Sequence, residues 1–166
     1  DILAIQVHEV VKMNYSALSS FFQMVALSDS EVLSEGKFSS SDFVPKTHVT
    51  MVHFSEMLQS SIQHSYNHLV GKGVELKLLG LLWNDQVAAL AVDVASETID
   101  GIPVPPPSNA FAHISLWCRK NVKPVESNNL PKLVCDGMAQ QVDFKQTATL
   151  QGTLSFWSMN EQSQNQ

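Results

Sequence analysis

Cysteine is nearly missing from this chain. Only Cys118 and Cys135 occur among 166 residues, too few for a disulfide framework or a four-cysteine zinc site. A reducing, intracellular compartment, nuclear or cytoplasmic, fits that usage. Long apolar runs are lacking too: none approaches the ~20 residues that span a bilayer, and the opening Asp1-Ile2-Leu3-Ala4-Ile5 has no charged flank of a signal peptide. A soluble protein with no membrane attachment is expected. Basic residues are scarce, 10 Lys and Arg against 16 Asp and Glu for a net charge of −6, which argues against wrapping a long nucleic acid, because such binding rests on many cationic contacts to phosphates. If the substrate is RNA, the chain reads an end. What the sequence does have is 44% hydrophobic residues, with 8 Phe, 3 Trp and 6 Met, the composition of a globular protein with its own core. The length suits one domain over 1–166. A first residue that is Asp suggests a domain cut from a longer polypeptide, and the polar tail 160–166 is expected to fray.

Residues 2–7 read as a short strand, and 15–27 place Leu18, Phe21, Phe22 and Val25 at helical spacing. Residues 34–45, rich in Ser and ending in Pro45, form a loop leading to a β-branched strand over 48–54. A helix over 55–70 stops at Gly71 and Gly73. Residues 74–94 carry two apolar runs around Asn84 and Asp85, the pattern of a hairpin. Pro103, Pro105, Pro106 and Pro107 remove backbone donors from 96–112, so this stretch is a loop with room to move. A strand over 113–119, a polar linker, a short helix over 130–139 and two strands within 142–157, broken near Gly152, complete the order. The expected class is α+β, antiparallel sheets with outer helices.

Two segments share one pattern. His48-Val49-Thr50-Met51 and His113-Ile114-Ser115-Leu116 each read histidine, apolar, hydroxyl, apolar. Strand side chains alternate faces, so His48 and Thr50 point one way while Val49 and Met51 point into a core. The same holds for His113 and Ser115. Two such strands meeting across a cleft supply two imidazoles and two hydroxyl donors. Hydrolysis of a cyclic phosphodiester needs a base to deprotonate water and an acid to protonate the leaving sugar oxygen opposite it. An ordinary imidazole pKa of about 6.5 lets both protonation states exist near neutrality, and Thr50 and Ser115 would donate to the non-bridging oxygens. The scheme needs no metal and no cofactor. His53-Phe54-Ser55 begins alike, but Glu56 replaces the last apolar residue and His53 faces away from His48, so it reads as structural.

The paired motifs resemble those of the two-histidine phosphoesterase superfamily. Three further segments narrow the match: Val122-Lys123-Pro124-Val125-Glu126-Ser127-Asn128-Asn129-Leu130, then Gly152-Thr153-Leu154-Ser155-Phe156-Trp157, and the hairpin Leu81-Leu82-Trp83-Asn84-Asp85-Gln86-Val87-Ala88-Ala89-Leu90. Over about 47–157 the chain is similar to the C-terminal cyclic phosphodiesterase domain of plant- and fungal-type tRNA splicing ligases. The resemblance implies a two-lobed fold of antiparallel sheets, with one histidine motif from each lobe lining a central cleft. It also implies a reaction in which a 2′,3′-cyclic phosphate at the 3′ end of a tRNA exon is opened to a 2′-phosphate and a 3′-hydroxyl. Ligase and kinase domains would lie upstream in the same polypeptide. By the same analogy His48 is the acid on the 3′ oxygen and His113 the base for water, although the residues themselves leave the two roles interchangeable.

Other residues admit plainer roles. Trp117 lies two positions beyond Ser115, where its indole would either stack on the terminal base or ribose or cover the edge of the core. Lys46, Arg119, Lys120 and Lys123 flank the motifs and would either draw in RNA phosphates or stand solvated. His64 and His68 are four apart on a helix, but no glutamate follows His64 as a metalloprotease motif requires, so they read as a surface pair. Residues 123–129 read as a packed connection in which Asn128 or Asn129 caps the next helix and Pro131 sits in its first turn. Three rival functions stand beside the main one: a 2′–5′ or 3′–5′ oligonucleotide phosphodiesterase of the same chemistry, a non-catalytic RNA-end binding module, and a zinc-dependent hydrolase using His64 and His68.

Overall fold

Period-two alternation of apolar and polar residues builds most of the molecule. A computed structural model describes residues 2–6, 44, 47–53 and 64–157. Six strands are found there: β1 (Ile2–Gln6), β2 (His48–His53), β3 (Gly73–Trp83), β4 (Val87–Val94), β5 (His113–Cys118) and β6 (Gln140–Trp157). Along β3, Val74, Leu76 and Leu78 are buried while Glu75, Lys77 and Leu79 face out. From Gly80 to Trp83 every residue is buried, because a second apolar cluster around Leu82, Val87, Ala89 and Leu130 covers the other face.

All the strand pairs are antiparallel, and their order β1-β2-β5-β4-β3-β6 closes into a barrel. Closure gives each described strand a neighbour on both sides. The main core draws on all six, with Leu3, Ile5, Val49, Leu76, Leu90, Ile114 and Leu154 at 2% exposure or less, and each such side chain stabilises the fold by roughly 1.5–3 kcal/mol. The expected two lobes do not appear as separate sheets within the described residues. Instead both histidine motifs lie on neighbouring strands of one barrel, β2 and β5, at a seam with a single paired position, Val49↔Ile114. The β1–β2 and β4–β5 pairs each have five.

The hairpin β3–β4 turns where the sequence places it. Asn84 Oδ1 accepts from the amides of Gln86 (2.8 Å) and Val87 (3.0 Å), and Asn84 N–H donates to the Val87 carbonyl. The final strand differs from expectation, since β6 runs through Gly152 without a break. Its irregularity lies opposite Leu78 and Gly80, where pairing passes from Ala148 to Asp143. Gly80 is needed there, because a Cβ would stand 2.7 Å from the Val142 carbonyl oxygen. The proline-rich stretch 96–112 is a loop tied down at several points: Val104 N–H reaches Ser96 O, Ser108 N–H reaches Met51 O (2.8 Å each), and Val104 is buried. A 3-10 turn (Pro124–Asn129) leads into helix α1 (Leu130–Cys135), shorter than expected, and neither end residue of that turn caps the helix through its side chain. The helix over 15–27, most of the 34–45 loop and of the 55–70 helix, and the tail 160–166 lie outside the described residues.

Candidate active site

Pairing of Val49 with Ile114 fixes what surrounds the two motifs. In an antiparallel register centred on that pair, Thr50 falls opposite His113 and His48 opposite Ser115. Val49 and Ile114 are fully buried in the main core, so the four polar side chains share the other face, each half-buried. His48 and His113 are then diagonal neighbours, roughly 7–8 Å apart at ordinary sheet spacing, a separation that leaves space for a phosphate group between two imidazoles. The small residues Ala89 and Ala91 stand beside Ser115 and His113 on β4.

Each group of the second motif is held by a neighbour that sequence patterning missed. His113 Nδ1 lies 2.8 Å from the Phe111 carbonyl oxygen; a carbonyl only accepts, so Nδ1 carries the proton and Nε2 is the basic nitrogen. The Phe111 ring stacks on the imidazole with centroids 4.6 Å apart and planes at 10°. Burial holds the His113 pKa below its ordinary 6.5, opposed by the bond to Phe111 O. Phe111 N–H donates to Asn109 Oδ1 (2.9 Å), and Asn109 Nδ2 donates to Asn128 Oδ1 on the 3-10 turn. That turn also reaches Ser115, whose Oγ is 3.0 Å from Ser127 Oγ and 3.5 Å from the Pro124 carbonyl oxygen. Phe111 could have been suspected from its place two residues before His113, in the bend that leads into β5. For Ser127 no periodic signal exists.

The remaining candidates separate from this face. Trp117 is 2% exposed and belongs to the main core, which corrects its reading as a stacking platform for a base. A register shift between Ala88 and Ala89 lets Leu116 bulge, so Ala89 pairs with Ser115 but Ala88 with Trp117, and the indole turns inward. His53 ends β2 exposed, and His64 and His68 are exposed on the 64–69 segment. Arg119, Lys120 and Lys123 are exposed just past β5, while Lys46 lies outside the described residues. Asn128 bonds Asn109, and Asn129 Nδ2 bonds Glu126 Oε2 (3.1 Å), in place of the expected caps.

Known proteins resemble this chain along nearly its whole length. A family model described as the fungal tRNA ligase phosphodiesterase domain matches residues 3–156. The tRNA ligase 1 of Arabidopsis thaliana is 31% identical over 124 residues, which is 74% of this chain and 11% of that protein. The chain thus spans about a tenth of the length of that curated relative. A crystal structure of a fungal RNA kinase superposes with a TM-score of 0.64 at 16% identity, over 95% of this chain and 45% of that one, a likeness of fold. With the paired histidine motifs brought to one face of a barrel, and with this match over residues 3–156, the chain belongs to the family of tRNA ligase phosphodiesterase domains.

Proposed function

We propose that this domain opens RNA 2′,3′-cyclic phosphate ends to a 2′-phosphate and a 3′-hydroxyl, using His113 and His48 as base and acid. The observation that carries the reading is the Val49↔Ile114 pairing, whose register brings both His-x-hydroxyl motifs to one face. His113 Nε2, neutral at pH 7 because burial lowers its pKa, takes a proton from water as the water oxygen bonds to phosphorus. The P–O3′ bond breaks on the opposite side, and His48, protonated, gives its proton to O3′. One water is consumed, and the histidines return to their starting states by proton exchange with solvent. Thr50 and Ser115 donate to the non-bridging oxygens and stabilise the charge that gathers there.

We infer that the seam does the work expected of two lobes: β2 brings His48 and Thr50, β5 brings His113 and Ser115, and the strands pair sparsely between the motifs. The substrate class is an RNA 3′ end, a tRNA exon in splicing, and the acidic chain with its few cations suits an end rather than a long duplex. We infer that residues 1–166 act as one domain joined to ligase and kinase domains upstream, since the 124 matched residues make up 11% of the plant ligase. The test is competition between substrates: an oligonucleotide ending in a 2′,3′-cyclic phosphate against short 2′–5′ and 3′–5′ linked oligonucleotides. Faster turnover of the cyclic end is expected. Preference for a linear linkage would move the reading to an oligonucleotide phosphodiesterase, and binding without turnover to an RNA-end reader.

A further inference from the structure

We propose that Ser127 is a positioning residue for this reaction, aiming the Ser115 hydroxyl proton at the phosphate. The proposal rests on the reading above, in which Ser115 donates to a non-bridging oxygen. Ser127 has no exposed surface, whereas Ser115 is half-buried on the site face, so of the two hydroxyls only Ser115 can meet a ligand. Their oxygens are 3.0 Å apart. A serine hydroxyl has one proton and two lone pairs, and the Pro124 carbonyl, 3.5 Å from Ser115 Oγ, can only accept. That carbonyl competes weakly for the Ser115 proton with Ser127 in place, and a Ser127 oxygen that accepted would take the proton away altogether. With Ser127 donating, an acceptor site of Ser115 is filled instead, and its proton is left to choose between the carbonyl and the outer partner. A phosphate oxygen wins over the distant carbonyl because a hydrogen bond to a charged acceptor is about twice as strong. Accepting a hydrogen bond also makes Ser115 the better donor.

The relay places a specific demand on energetics: Ser127 matters to turnover only while Ser115 is present. A double-mutant cycle reads this directly, with kcat/KM measured on RNA ending in a 2′,3′-cyclic phosphate and folding checked by circular dichroism. Ser115→Ala should lose about 10- to 100-fold, and Ser127→Ala about 3- to 10-fold, as expected for bonds to charged and neutral partners. In the Ser115→Ala background, Ser127→Ala should cost less than twofold. Ser127→Cys keeps the side-chain volume with a weak donor, and carries the same cycle if the alanine variant does not fold. An equal fractional loss in both backgrounds would mean a packing role and would overturn the proposal, as would full activity of Ser127→Ala. Wild-type turnover by Ser115→Ala would remove Ser115 from the reaction, and the underlying reading of that hydroxyl would fall with it.

Discussion

His113 and Phe111 meet twice: the imidazole Nδ1 lies 2.8 Å from the Phe111 carbonyl oxygen, and the two rings stack at 4.6 Å. The first contact fixes the tautomer and leaves Nε2 as the lone-pair nitrogen. The second contributes to the burial that holds the imidazole below its ordinary pKa. Burial, the larger effect, favours a neutral histidine at pH 7, the state in which a general base works, while the bond to the carbonyl pulls the other way.

The acid limb of the kcat/KM profile should therefore fall below pH 6.5, since the free enzyme's base sets it. Phe111→Ala admits water to the ring and should move that limb upward toward 6.5, with the backbone carbonyl still in place. Titration of the His113 ring by NMR should follow the same shift. The sign carries over to folding: the unfolded chain takes the proton first as pH falls, so stability is full above about pH 6.5 and is lost through the lower folded value. A wild-type limb above 6.5, or one unmoved in Phe111→Ala, would contradict this account of His113.

Alanine at His48 or at His113 should lower turnover at least ~100-fold, because general acid or base catalysis is typically worth 10²–10⁴. Both side chains lie on the polar face and are only half-buried, so thermal melts of the variants should stay close to the parent. Parental rates in either variant would take that histidine out of the mechanism.

Much of the barrel is legible in the sequence because half-buried strands write their faces as alternation, as in Val74, Leu76 and Leu78 or His48 to Met51. The Asn84 turn is legible because its side chain can bond the amides ahead of it. Trp117 misleads for a physical reason: a bulge is decided by the partner strand, here between Ala88 and Ala89, and no single strand's pattern contains it. The unbroken β6 hides in the same way. Gly152 looks like a stop, yet the strand continues there, pairing with Val74. Ser127 and Asn128 act through a 3-10 turn with no periodicity of its own, so only folding shows that they reach the second motif.

Gly80→Ala should destabilise the fold by about 1–3 kcal/mol, the usual cost of overpacking. Its Cβ would meet the Val142 carbonyl oxygen at 2.7 Å and Asp143 Oδ1 at 3.2 Å, and the first of these is backbone that cannot turn aside. A lower urea midpoint with an unchanged slope is the expected result. An unchanged midpoint would show that β3 and β6 can part at this position without loss.

Turnover should persist in excess EDTA, because in the proposed reaction two imidazoles supply both proton transfers. A steady-state assay with and without the chelator reads this. Activity lost to EDTA and restored by zinc would replace the two-histidine scheme with metal-assisted chemistry.

The most direct measurement of the central claim is the identity of the product from RNA ending in a 2′,3′-cyclic phosphate. In the proposed reaction, water activated by His113 enters opposite the oxygen that His48 protonates, so the isomer formed would record which oxygen faced the acid. A chromatographic separation of the two nucleotide isomers should give a 2′-phosphate with a free 3′-hydroxyl, and neither isomer should accumulate with the His48→Ala, His113→Ala double variant. A dominant 3′-phosphate, or turnover surviving in the double variant, would contradict the account.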